Sequence, residues 1–159
     1  MSYLTYEEYE QLYTGQNAVS EAAFSGLERQ AERVIDRFTL TVDNVKKLKV
    51  AFPTDEDDVE AVKLCVVAVL TALDNINATE GANAESIRSG RGGIIASASS
   101  GSESVTYAVA GSDLIGASMD VKKKDAYLYQ IVRNNLAGAR DANGVNLLYG
   151  GFYPCIVTQ

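Results

Sequence analysis

The sequence predicts a mainly α-helical protein: a small bundle of about four helices with a long loop carrying a β-hairpin arm. Three observations carry the prediction. Apolar residues recur at helical spacing in separate stretches, capping signals open those stretches, and between the last two lies a segment, residues 81–118, built mainly from Gly, Ser, Ala and Asn with one alternating apolar run in its middle. A structureless insertion of that length is uncommon in a compact domain and points to disorder or to a binding arm ordered against a partner. The chain has 159 residues, 47% hydrophobic and 22% charged, which suits one well-filled core and a single expected domain. That domain divides into a helical core (1–80 and 119–140), the arm (81–118) and a tail (141–159).

Thr5-Tyr6-Glu7-Glu8 fits a capping box, opening a short helix that runs to Tyr13. Ser20 is the expected cap of a second helix, with Glu21 at the positive end of its dipole. Phe24, Leu27, Ala31, Val34, Ile35 and Phe38 form its apolar stripe, and Glu28, Arg29, Glu32, Arg33 and Asp36 its polar face. Residues 39–49, with Asp43-Asn44 and Lys46-Lys47-Lys49, read as a loop of little regular structure. After Pro53, Thr54 or Asp55 caps a third helix, apolar on most sides from Val59 to Ile76 and therefore central.

Within the low-complexity segment, residues 93–97 and 104–109 are strand-like and joined by Ser99-Ser100-Gly101-Ser102, which reads as a hairpin. Val105, Tyr107 and Val109 share one face of its second strand. An isolated two-stranded hairpin is marginal in water, so that face is expected to lie on a core, a sister subunit or a partner. Ser118 is the expected cap of a fourth helix reaching Ala139, with Tyr127, Leu128, Ile131, Val132 and Leu136 as its stripe. Asn143-Gly144 turns the chain into an apolar, aromatic tail.

Charge and composition narrow the function classes. A net charge of −7 argues against tight binding to nucleic-acid phosphates, although it suits a surface along which DNA passes without sticking. The absence of histidine removes the commonest metal ligand and the usual proton carrier near neutral pH. Cys65 sits in an apolar helical run and reads as a small buried hydrophobe, so a disulfide with Cys155 is not expected. The Met-Ser-Tyr start lacks a basic leader and an apolar signal core, which sets cytosolic residence as the expectation. The longest apolar run, 64–73, is too short to cross a bilayer, and no membrane association is expected.

No motif carries chemistry. Asp55, Glu56, Asp57 and Asp58 suit the start of a helix dipole better than a metal site. Ser89-Gly90-Arg91-Gly92-Gly93 lacks the Lys-Ser/Thr of a phosphate loop, and Asp141-Ala142-Asn143-Gly144 lacks the downstream Glu of a calcium loop. Lys122-Lys123-Lys124 reads as a solvated helix face. The tail, with Leu147, Leu148, Tyr149, Phe152 and Tyr153 around Gly150-Gly151, is either a strap closing the protein's own core or a docking peptide for a partner's groove.

Taken in order, these elements resemble the head-to-tail connector, or head-completion, proteins of tailed bacteriophages. The resemblance rests on Met-Ser-Tyr-Leu-Thr-Tyr-Glu-Glu-Tyr at the start and on Phe24, Leu27, Ala31 and Val34-Ile35-Asp36 in the second helix. It rests further on the apolar third helix, Glu85-Ser86-Ile87 followed by Ser104-Val105-Thr106-Tyr107, and Leu147-Leu148-Tyr149-Gly150-Gly151 near the end. It covers nearly the whole chain. The chain departs from members in which Leu-Leu-Tyr is followed by Arg-Gly and soon ends; here Gly150 takes the place of the Arg and residues 152–159 extend further. The resemblance implies a structural virion subunit, without catalytic residues, metal or cofactor, that forms a ring, a dodecamer in expectation, beneath the portal protein. The ring would extend the DNA channel and receive a stopper or tail-completion protein. The competing expectation is a monomeric cytosolic protein-binding or regulatory module with a flexible loop; size in solution separates the two.

Overall fold

The computed structural model describes residues 2–15, 18–88, 98–100, 103–105 and 120–154. Among them are five helices, α1 (Tyr6–Leu12), α2 (Glu21–Phe38), α3 (Lys47–Val50), α4 (Glu56–Arg88) and α5 (Val121–Asn135), and two short strands, β1 (Ala98–Ser100) and β2 (Glu103–Val105). The fold is a helical bundle, as the sequence predicts. The chain forms two compact units, residues 1–73 with 128–159, and residues 74–127.

In the first unit, α1 opens on the full capping box: the Thr5 hydroxyl accepts from the Glu8 amide and the Glu8 carboxylate accepts from the Thr5 amide. Tyr6 and Tyr9 of α1 meet Phe24 of α2 at ring-centroid distances of 5.3 and 5.4 Å, and the buried Tyr9 hydroxyl accepts from the Val19 amide at 2.9 Å. Ser20 does not cap α2 through its side chain; its carbonyl instead accepts from the amides of Ala23 and Phe24. Asp55 caps α4 by accepting from the Asp57 amide. The centre of the unit is built from Ala31 and Ile35 of α2, Val62, Val66, Val69 and Leu70 of α4, and Leu128 and Val132 of α5, all buried. Cys65 lies among them as a free thiol, and its burial pushes it up to about 12.

The sequence leaves residues 39–49 as an irregular loop, whereas the structure gives them a defined form that recurs after α5. In loop 1, Leu40 bridges to Lys46, the Thr41 amide donates to the Val45 carbonyl, the Val45 amide returns to the Thr41 hydroxyl, and Asn44 turns the chain at φ +61°. In loop 2, Arg140 bridges to Asn146, the Asp141 amide donates to the Val145 carbonyl, the Val145 amide returns to an Asp141 carboxylate oxygen, and Gly144 turns at φ +76°. The loops also exchange bonds with each other's sequel: Val42 donates to the carbonyl of Gly151, and Ala142 to that of Ala51, each at 3.3 Å. Two copies of one turn thus face one another in approximate twofold fashion.

In the second unit, α4 runs past the expected start of the arm at residue 81 as far as Arg88. Ala82, Ala84 and Glu85 are good helix formers, and Glu85 pairs with Arg88 one turn on. Lys124 of α5 reaches Glu80 of α4 at 3.2 Å. Asp120 caps α5 by accepting from the amides of Lys122 and Lys123; the expected cap, Ser118, lies outside the described residues. Strands β1 and β2 pair antiparallel, Ala98 with Val105 and Ser100 with Glu103. Ser99 and Ser100, read as connecting turn, are strand residues. The expected strand at 93–97 and most of its partner, including Tyr107 and Val109, lie outside the described residues. Three paired positions do not support the hairpin arm as drawn from the sequence.

Candidate docking surface

The tail is tied to its own unit from beneath by one cation. Lys47, wholly buried in the first turn of α3, donates through Nζ to the carbonyl oxygens of Asn146, Leu147 and Tyr149 at 3.0, 2.6 and 2.5 Å. A buried ammonium is tolerated only when its donors are all met, and three carbonyls match its three N–H bonds. Burial lowers its affinity for the proton, and the carboxylate of Asp141 works in the opposite direction. The Leu147 amide closes on the Ala139 carbonyl at 2.8 Å, and Tyr153 spans both loops: its amide donates to Asp43 at 3.3 Å and its hydroxyl to Asp141.

The residues singled out by sequence therefore part company. Leu147 is wholly buried in its own unit, and Leu148 and Tyr153 are half-buried. Tyr149 and Phe152 stay outside, 50% and 71% exposed, beside Val42 at 62%. The backbone bond from Val42 to Gly151 sets loop 1 against the segment that carries both aromatic rings. Val105 belongs to β2 through its backbone pairing.

A second surface, which the sequence did not reveal, is a cleft of about 330 Å³ between α1 and the start of α4. Glu8 and Leu12 line it from α1, and Glu56, Val59, Glu60 and Lys63 from α4 at spacings that share one helix face. Lys63 donates to Glu8 at 2.6 Å and so holds the Glu8 carboxyl below its ordinary range. Its charge is thereby met inside the cleft, leaving Glu56 and Glu60 exposed on the rim.

Among the described residues no group of three or more His, Cys, Asp or Glu side chains is placed to hold a metal ion. No helix among them is long and apolar enough to cross a membrane. Comparison of the chain with family models, with curated proteins and with solved structures gives no match.

Proposed function

We propose that this protein is a structural connector of the kind its sequence resembles: a ring-forming subunit seated beneath the portal of a tailed phage, passing DNA through its channel and presenting a platform to the stopper or tail. The observation that supports this reading best is the pinned tail. Lys47 ties down the carbonyls of Asn146, Leu147 and Tyr149, and bonds at Gly151 and Tyr153 hold the stretch that follows, so that Tyr149 and Phe152 stand exposed on a bonded backbone. Aromatic side chains on a rigid base make efficient anchors, because little freedom is lost when a partner covers them. Val105, Tyr107 and Val109 remain the residues assigned to the sister subunit or the portal.

Electron microscopy of the purified protein mixed with the portal of the same phage tests the proposal. The expected image is a second ring stacked on the portal, weakened by Phe152→Ser. Isolated subunits beside bare portals would overturn it. The second reading, a monomeric cytosolic binding or regulatory module, draws on the same strap, since a tail closed on its own unit asks for no partner; a monomeric particle in solution favours it.

A further inference from the structure

The exposed side of α2 carries Ala22, Gly26, Arg29, Arg33 and Arg37, which fall on one line opposite the buried stripe. In a chain of net charge −7 this row of three arginines is a local reversal of sign. Gly26 lies in its middle. A glycine inside a helix costs about 1 kcal/mol relative to alanine, and a Cβ added here would meet no atom of the described residues within 4 Å beyond its own helix backbone. Among the described residues, no packing contact accounts for it. A bare backbone flanked by Ala22 is what a second helix needs in order to approach closely.

The cleft between α1 and α4 is its complement. Glu56 and Glu60 stand one helical turn apart on the rim, the same separation as Arg29 and Arg33, while Leu12 and Val59 supply an apolar floor. Arginine and carboxylate pair in two-pronged fashion, so matched spacing on two helices yields specific pairing as well as attraction.

We infer that the α2 face of one copy docks on the α1–α4 cleft of a second copy, Arg29 and Arg33 against Glu56 and Glu60, with Gly26 letting the helices close. Because the two surfaces differ, the contact is head-to-tail and repeats until a circle closes. The inference deepens the connector reading and rests on it.

Sedimentation and native mass spectrometry of four proteins test it: the parent, Arg29→Glu/Arg33→Glu, Glu56→Lys/Glu60→Lys, and Gly26→Gln, each checked for unchanged helix content by circular dichroism. The parent is expected to associate more weakly as salt rises. Each variant is expected to weaken association by at least about tenfold, and an equimolar mixture of the two charge-reversed proteins to restore it. Should a reversed pair fail to fold, Arg33→Gln and Glu60→Gln take its place, each expected to weaken association. Variants that associate as tightly as the parent, or a mixture that stays apart, would overturn the contact and leave the connector reading intact. A parent that remains monomeric at high concentration and beside the portal would overturn both.

Discussion

Loops 1 and 2 solve the same problem with different side chains. Each carries the chain out of a long helix, folds it through one left-handed residue and bridges it back, yet loop 1 uses Thr41 and Asn44 where loop 2 uses Asp141 and Gly144. A short side chain whose oxygen accepts from the amide four residues on, and a residue tolerant of positive φ at the fourth position, meet the requirement. The larger divergence comes two residues after the returning valine. Loop 1 places Lys47 there and loop 2 places Leu147, both wholly buried. The cation satisfies the carbonyls of the opposite segment, and the leucine fills the space beside the core. Apparent symmetry of backbone thus conceals a division of labour between pinning and packing.

Lys47→Leu, which makes the two loops alike, breaks the comparison hardest. Three carbonyls lose their donor, and a loss of about 3 kcal/mol in urea unfolding is expected. Greater exposure of the tail to protease, with helix content kept, would locate the damage; unchanged stability would show that the cation contributes nothing. Exchange at the left-handed position comes next. Gly144→Ala forces a Cβ into φ +76° and is expected to cost about 1–2 kcal/mol. Asn44→Gly relieves the same strain while loosening the unfolded chain, and should move stability by less than about 1 kcal/mol. Equal effects at both sites would deny that the loops share one geometry.

The smallest effect is a pair of pH limbs. The Asp43 carboxyl is held below its ordinary value of 3.8, chiefly by a bond from Thr41, so its contribution is whole above that pH and fades as pH falls beneath it. Burial, with Asp141 beside it, raises the Tyr153 hydroxyl above 10, so its contribution is whole below pH 10 and is lost as pH climbs further. In melting curves, Asp43→Asn should flatten the acid limb alone and Tyr153→Phe the alkaline limb alone. Both limbs changing together would mean that the loops titrate as one.

Helices were legible wherever the signal was local. Thr5 and Glu8 announced α1, the stripe from Phe24 to Phe38 announced α2, and continuous apolarity announced the central position of α4. What escaped the sequence depended on distant backbone. Lys47 read as part of a basic run in an irregular loop because its partners are carbonyls, which leave no mark on residue identity. Loop 1 read as irregular because Thr41 and Asn44 do not resemble Asp141 and Gly144, although Val45 with Leu48 and Val145 with Leu148 repeat at one spacing. The exposed Tyr149 and Phe152 were legible as a candidate contact, while the burial of Leu147 beside them was not. The cleft was hidden because Glu56 and Glu60 acquire their meaning only once α1 lies alongside.

Lys47 and the Leu147 carbonyl that receives it are separated by 100 positions in the chain. At ribosomal speeds the interval between making one and making the other is roughly 5 to 20 s. Throughout that time the Lys47 ammonium has only water as acceptor, and the tie between loop 1 and the tail waits for the closing segment. Closure of the first unit around Lys47 is thereby postponed until residues 146–149 have been made.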